Sequence, residues 1–129
     1  MRIVAVTIGI FLLCGPATAQ PADPAALVLS SRNAYFDCVL ESVMAQLKQM
    51  PSSVRSNADY SLLGEQGFVA CATEERVLGM VLTDNNLSPQ MVQAALLGAR
   101  AQVKRVIRDI IANPEKYAGD SKSNNDIRD

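Results

Sequence analysis

The sequence predicts an all-α protein: a small bundle of three helices, four if a short loop segment coils, with one interhelical disulfide. Three observations lead there. The chain is rich in Ala, Leu and Gln, carries no Trp and only three Tyr and three Phe, and so favours helices over strands. Apolar side chains recur at helical spacing in three long segments. Two cysteines, Cys38 and Cys71, fall one in each of the first two of those segments.

The N-terminus sets the compartment in which those cysteines are read. Arg2 gives one positive charge, Ile3 to Cys14 is an almost unbroken apolar run, and Gly15-Pro16 interrupts it before Ala17-Thr18-Ala19. This is the order of a secretory signal peptide, with cleavage expected between Ala19 and Gln20. A membrane anchor is the competing reading, but a bilayer span needs about twenty apolar residues, and Pro16 ends this run early. Lipoprotein processing at Cys14 would follow a small residue, whereas Leu13 precedes it. The expected division is therefore a signal peptide at 1–19, a helical domain at 20–114 and a disordered tail at 115–129. No transmembrane span is expected after cleavage, and the location is periplasmic or secreted.

An even number of cysteines in a small exported domain favours a disulfide over a metal site or a catalytic thiol. A redox-active pair is disfavoured because Cys38 and Cys71 lack the C-x-x-C spacing.

The first helix is expected from about Pro24 to Gln49, with Asp23 as N-cap, Pro24 at the first helical position and Pro51 stopping it. Leu29, Phe36, Leu40, Val43, Leu47 and Met50 form its apolar stripe. Cys38 lies nearly opposite, in a strip of small residues with Ser31, Ala34, Ser42 and Ala45. Residues 51–59 read as a loop with room for one helical turn. A second helix, capped by Asp59 or Ser61, is expected to run unbroken from Tyr60 to Leu82. Its Gly64 and Gly67 would let it lie close to the small strip beside Cys38. Ser88-Pro89 opens a third helix reaching about Ala112, with Val92, Leu96, Ala99, Val103, Val106 and Ile110 on one face.

Composition narrows the chemistry. The chain has no His, so no Ser-His-Asp or Cys-His arrangement and no imidazole zinc ligand is available. From Gln20 onward, eleven Lys and Arg face thirteen Asp and Glu, which gives no reason to expect nucleic acid as a partner. No cofactor and no enzymatic activity are expected.

Charge is nevertheless distributed unevenly. The third helix carries four basic side chains against one acidic, while residues 20–87 carry four against eight. Arg100, Lys104 and Arg108 form an i, i+4 row with Arg105 beside it, a candidate surface for an acidic protein or an anionic envelope surface. Intramolecular neutralisation by Glu74, Glu75 or Asp109 is the competing reading. Asp37 and Glu41 stand one turn apart on the first helix, but Lys48 shares their side and a solvated face explains them. Glu75 is the oddest charge, a carboxylate close to the line of Cys71 and Leu78. It marks either a pocket or a core edge with a basic partner. Tyr35 and Tyr60 are assigned by pattern to neither core nor surface.

Tyr35-Phe36-Asp37-Cys38 on the first helix and Ala70-Cys71-Ala72-Thr73-Glu74-Glu75 on the second, behind a signal peptide, resemble a recurrent type of small bacterial exported helical protein. The resemblance covers about Ala34 to Tyr117. It implies fold and location and carries over no site residues. Two functions follow as expectations: a periplasmic protein-interaction or envelope-associated module, or a small ligand carrier or enzyme with a carboxylate-based site near Glu75. A pocket lined by Glu75 with Arg100 or Lys104 would favour the second. A basic row clear of every acidic side chain would favour the first.

Overall fold

The computed structural model describes residues 23–118, which form six helices and, among the described residues, no strand. The expected signal peptide at 1–19, Cys14 and the part of the expected tail beyond residue 118 lie outside the described residues. The helices are α1 (Pro24–Gln49), α2 (Ser52–Arg55), α3 (Tyr60–Ala70), α4 (Ala72–Asp84), α5 (Pro89–Ala112) and α6 (Pro114–Ala118). Three long arms carry the bundle, with α3 and α4 together making the middle one. No described helix is long and apolar enough to cross a membrane.

The expected caps form. The Asp23 carboxylate accepts from Ala25 N–H, Asp59 accepts from Ser61 and Leu62, and the Ser88 hydroxyl accepts from Met91, each satisfying donors a helix start leaves open. Pro51 forces Met50 into an extended conformation, and α1 stops there. Between α4 and α5, Asn86 sits at φ 62°, Leu87 N–H bonds to Leu82 C=O and Asn86 N–H to Thr83 C=O. This is a Schellman closure in which Asn supplies the left-handed residue. Leu87 packs back on the core and completes it.

Three expectations need correction. The middle arm is two helices rather than one, and the described residues form six helices rather than three or four. The break falls at Cys71, whose φ of −108° and ψ of 28° leave the helical region. That residue is the one the disulfide holds against α1, with Cys38 and Cys71 Cα atoms 6.0 Å apart. Turning the chain there lets α3 and α4 each pack on both α1 and α5.

The buried face of α1 is also rotated from the expected stripe. Tyr35, Val39, Val43 and Leu47 are buried, Phe36, Leu40 and Met50 are half-buried flanks, and Leu29 is exposed. Cys38 lies beside this face rather than opposite it. A lone helix pattern weights every large side chain equally, whereas α3 and α4 approach α1 from the Cys38 flank and move the core toward it. The glycines divide accordingly. A Cβ on Gly67 would stand 2.8 Å from Val39 Cγ1, so Gly67 meets the β-branched core face of α1, while Gly64 faces Lys104 on α5. Neither meets the small strip, of which Ala34 and Ala45 are exposed. On α5 the expected stripe holds, with Ile107 added as a fully buried member.

The third correction is at the C-terminus. Residues 115–118, expected within a disordered tail, belong to α6, and Tyr117 packs against the core.

Candidate functional site

Glu75 lies in the first turn of α4, where a carboxylate meets the positive end of the helix dipole. Opposite it, Arg100 on α5 donates from Nε to Glu75 Oε2 at 2.9 Å and from Nη2 to Oε1 at 2.7 Å, a bidentate pair. From α1, the Tyr35 hydroxyl donates to Oε2 at 2.8 Å. One carboxylate thus joins three arms of the bundle. Phe68 forms the floor beneath it, its ring stacked against Tyr35 at 6.3 Å and lying 5.2 Å from the Arg100 guanidinium.

The electrostatics follow from this geometry. Burial raises the Glu75 pKa, but the hydrogen bonds from Arg100 and Tyr35 and the Arg100 charge outweigh it and hold the carboxyl below its usual range. Arg100 is held above its own usual value, chiefly by the hydrogen bond to Glu75. Burial and the neighbouring carboxylate push the Tyr35 hydroxyl strongly upward, keeping it protonated as a donor.

Both oxygens of Glu75 are engaged by Arg100 and Tyr35, and the same contacts favour its ionised form. A groove of about 510 Å³ between α4 and α5 borders Glu75, but its other walls include Arg76, Met80, Val92 and Leu96 rather than Arg100 or Lys104. The combination that would mark a carboxylate-based site is therefore not assembled.

The basic row is split. Arg100 belongs to the Glu75 network, and Lys104 Nζ donates to Glu65 Oε1 at 2.6 Å and to the Ser61 hydroxyl at 3.3 Å. Arg105 and Arg108 are exposed and form no ion pair with a described carboxylate. The Arg108 guanidinium lies 5.9 Å from the Tyr60 ring. Asp37 and Glu41 remain on the exposed face of α1. The sulfurs of Cys38 and Cys71 approach Glu74 within 4.8 Å, but they are bonded to each other, which leaves one carboxylate and no ligand set.

The sequence pattern points to Glu75, Arg100 and Lys104, puts Phe68 on the buried side of the second helix and offers Ser61 only as a cap, but gives Tyr35 and Glu65 no place at the site. The i, i+4 spacing of Glu75 with Cys71, and of Tyr35 with Val39, was the available signal that these two side chains look inward. The sequence offers Asp109 on α5 only as a neutraliser of the row. It instead accepts from Asn113, Lys116 and Tyr117 and secures α6.

Fold and site together define an all-α protein with one disulfide and a central cluster in which the Glu75 carboxylate joins three arms of the bundle. No family model, curated protein or solved structure matches the chain.

Proposed function

We propose that the protein is an exported, non-catalytic interaction module that binds an acidic protein partner through the outer face of α5. The observation that carries this reading is that face itself. Leu97, Gly98, Ala101, Arg105 and Arg108 follow one another at helical spacing and are all exposed. Nothing stands within 4 Å of a Cβ placed on Gly98, and Leu97 is 63% exposed. No acidic residue occurs between Pro89 and Arg108. Small residues admit another backbone closely, Leu97 offers an apolar anchor, and two arginines supply forked donors for carboxylates.

An anionic envelope surface is the weaker partner. Polybasic recognition of anionic lipids uses clusters of about four to eight cations, and two of the four in this row are already paired within the fold. Export is supported by the leader pattern and by the pairing of the two cysteines left after cleavage. The engagement of both Glu75 oxygens within the fold speaks against the ligand-carrier or enzyme reading at that residue.

Photo-cross-linking in the cell of origin tests the surface. A cross-linker at position 101 should give a discrete adduct that one at position 33 on α1 does not, and Arg105→Glu with Arg108→Glu should abolish it. No adduct from 101, or one indifferent to charge reversal, would overturn the reading. The intact mass of the recovered protein should begin at Gln20, with two thiols alkylated only after reduction. A mass that retains the leader, or thiols already free, would remove the case for export.

A further inference from the structure

A second site lies at the far end of the bundle, where the C-termini of α1 and α5 meet α2 and α6. A cavity of about 590 Å³ opens there, walled by Met44, Leu47, Ile110, Ile111, Pro114 and Tyr117. We propose that this cavity binds a free single-chain amphiphile with an anionic head, of the chemistry of a fatty acid.

Size and lining come first. Small-molecule sites run from about 300 to 1,000 Å³ and are mostly apolar with a few placed polar groups. Leu47 and Ile110 belong to the buried core, and Met44, Ile111 and Tyr117 are half-buried against it, so the wall is continuous with the packed interior. Methionine and aliphatic side chains adapt to a flexible hydrocarbon chain.

Charge then selects the head group. Lys48 and Arg55 both line the cavity. Arg55 donates from Nε to Met50 C=O at 2.9 Å and from Nη2 to Lys48 C=O at 3.1 Å, which holds its guanidinium in place at the end of α1. The rest of its five-donor fork stays open to an anion. Lys48 forms no ion pair with a described carboxylate. Ser52 and Ser56 add hydroxyls on the same side. A carboxylate at this mouth, with its chain laid among Met44, Ile110 and Tyr117, satisfies both halves of the site.

The wall formed by α6 is built rather than incidental. Asp109 accepts from Asn113 Nδ2 at 2.8 Å, from Lys116 Nζ at 2.9 Å and from the Tyr117 hydroxyl, fixing the ring that closes one side. That leaves Lys48 and Arg55 as the cations of the lining with no carboxylate partner among the described residues. The chain beyond residue 118 is a poor occupant by composition, since Ile127 is its only sizeable aliphatic residue.

Titration of the full mature protein with dodecanoate, kept below its micelle-forming concentration, tests the proposal. Saturable one-to-one binding is expected, with no comparable binding of dodecyltrimethylammonium. Lys48→Glu should weaken dodecanoate by roughly fivefold or more, as reversal of an exposed charge contact does. Ala112→Trp, which places bulk in the cavity from an exposed position, should abolish binding with the helical circular dichroism unchanged. Absence of saturation, equal binding of the cationic surfactant, or indifference to Ala112→Trp would each overturn it. So would association with phosphatidylglycerol vesicles in the absence of dodecanoate binding, because the anion would then be a membrane surface rather than a free chain.

Discussion

Gly64 and Gly67 stand three residues apart on α3 and face different neighbours, so the same substitution should have opposite effects. At Gly67 a new Cβ meets Val39 Cγ1 at 2.8 Å, with the Val39 carbonyl and Val43 Cγ2 both at 3.5 Å. Those atoms belong to a packed helix face, and overpacking of this kind costs about 1–3 kcal/mol, more than the roughly 1 kcal/mol that alanine gains over glycine in a helix. At Gly64 the nearest atom is Lys104 Cγ at 3.1 Å, part of a flexible side chain. Urea unfolding should therefore show Gly67→Ala destabilised by up to about 2 kcal/mol and Gly64→Ala unchanged or more stable by up to about 1 kcal/mol. Equal effects would mean that the two glycines do not serve different interfaces. That the glycines mark close packing was legible in the sequence, because two in one helix need a reason. Which partner each one meets was not, since the answer depends on where α1 and α5 lie around α3. Tyr35 illustrates the same limit: its hydroxyl is satisfied by Glu75, forty residues away, and no local pattern encodes that pairing.

Among the elements, α1 and α5 were readable nearly to the residue, because their caps and stop signals are local chemistry: Asp23-Pro24, Ser88-Pro89 and Pro51 each act within one turn. The break at Cys71 and the helix α6 were not readable. Cys71 leaves helical geometry at a covalent tie to a different helix, and α6 is secured by contacts to Asp109 that only the folded chain brings together. Asp109 gives α6 a testable acid dependence. Hydrogen bonds from Tyr117, Lys116 and Asn113 lower its pKa from 3.8 to about 2. A carboxylate with a depressed folded pKa stabilises the folded arrangement above its unfolded pKa, and that contribution disappears as the pH falls through the folded value. Docking of α6 should thus be intact above about pH 4 and lost progressively toward pH 2. The Tyr117 resonances would report the step, and Asp109→Asn should remove it. A step that persists unchanged in the variant would place its origin in another carboxylate.

For the whole molecule, the sequence displayed a polarity of charge, acidic before α5 and basic along it, and the fold converts part of that polarity into cohesion. Glu75 with Arg100 and Glu65 with Lys104 tie α4 and α3 to α5, while the disulfide ties the same middle arm to α1. Ionic and covalent links therefore fasten one kinked element to two different helices. The covalent link spans 33 residues and encloses neither α5 nor α6. In the chain-entropy view, closing a loop of that length stabilises by about 3–4 kcal/mol, mainly by restricting the unfolded chain. Small domains have about 5–15 kcal/mol in total, so the link is a major share. Cys38→Ser with Cys71→Ser should accordingly lower unfolding stability by about 3–4 kcal/mol. The urea m-value should rise at the same time, because an unlinked unfolded chain exposes more surface. Helical content and the Tyr35–Glu75–Arg100 cluster should survive in the fraction that remains folded, since neither depends on the sulfurs. A loss below about 1 kcal/mol with an unchanged m-value would mean that the unfolded chain is already compact around the first two arms, and that packing through Gly67, rather than the disulfide, holds them together.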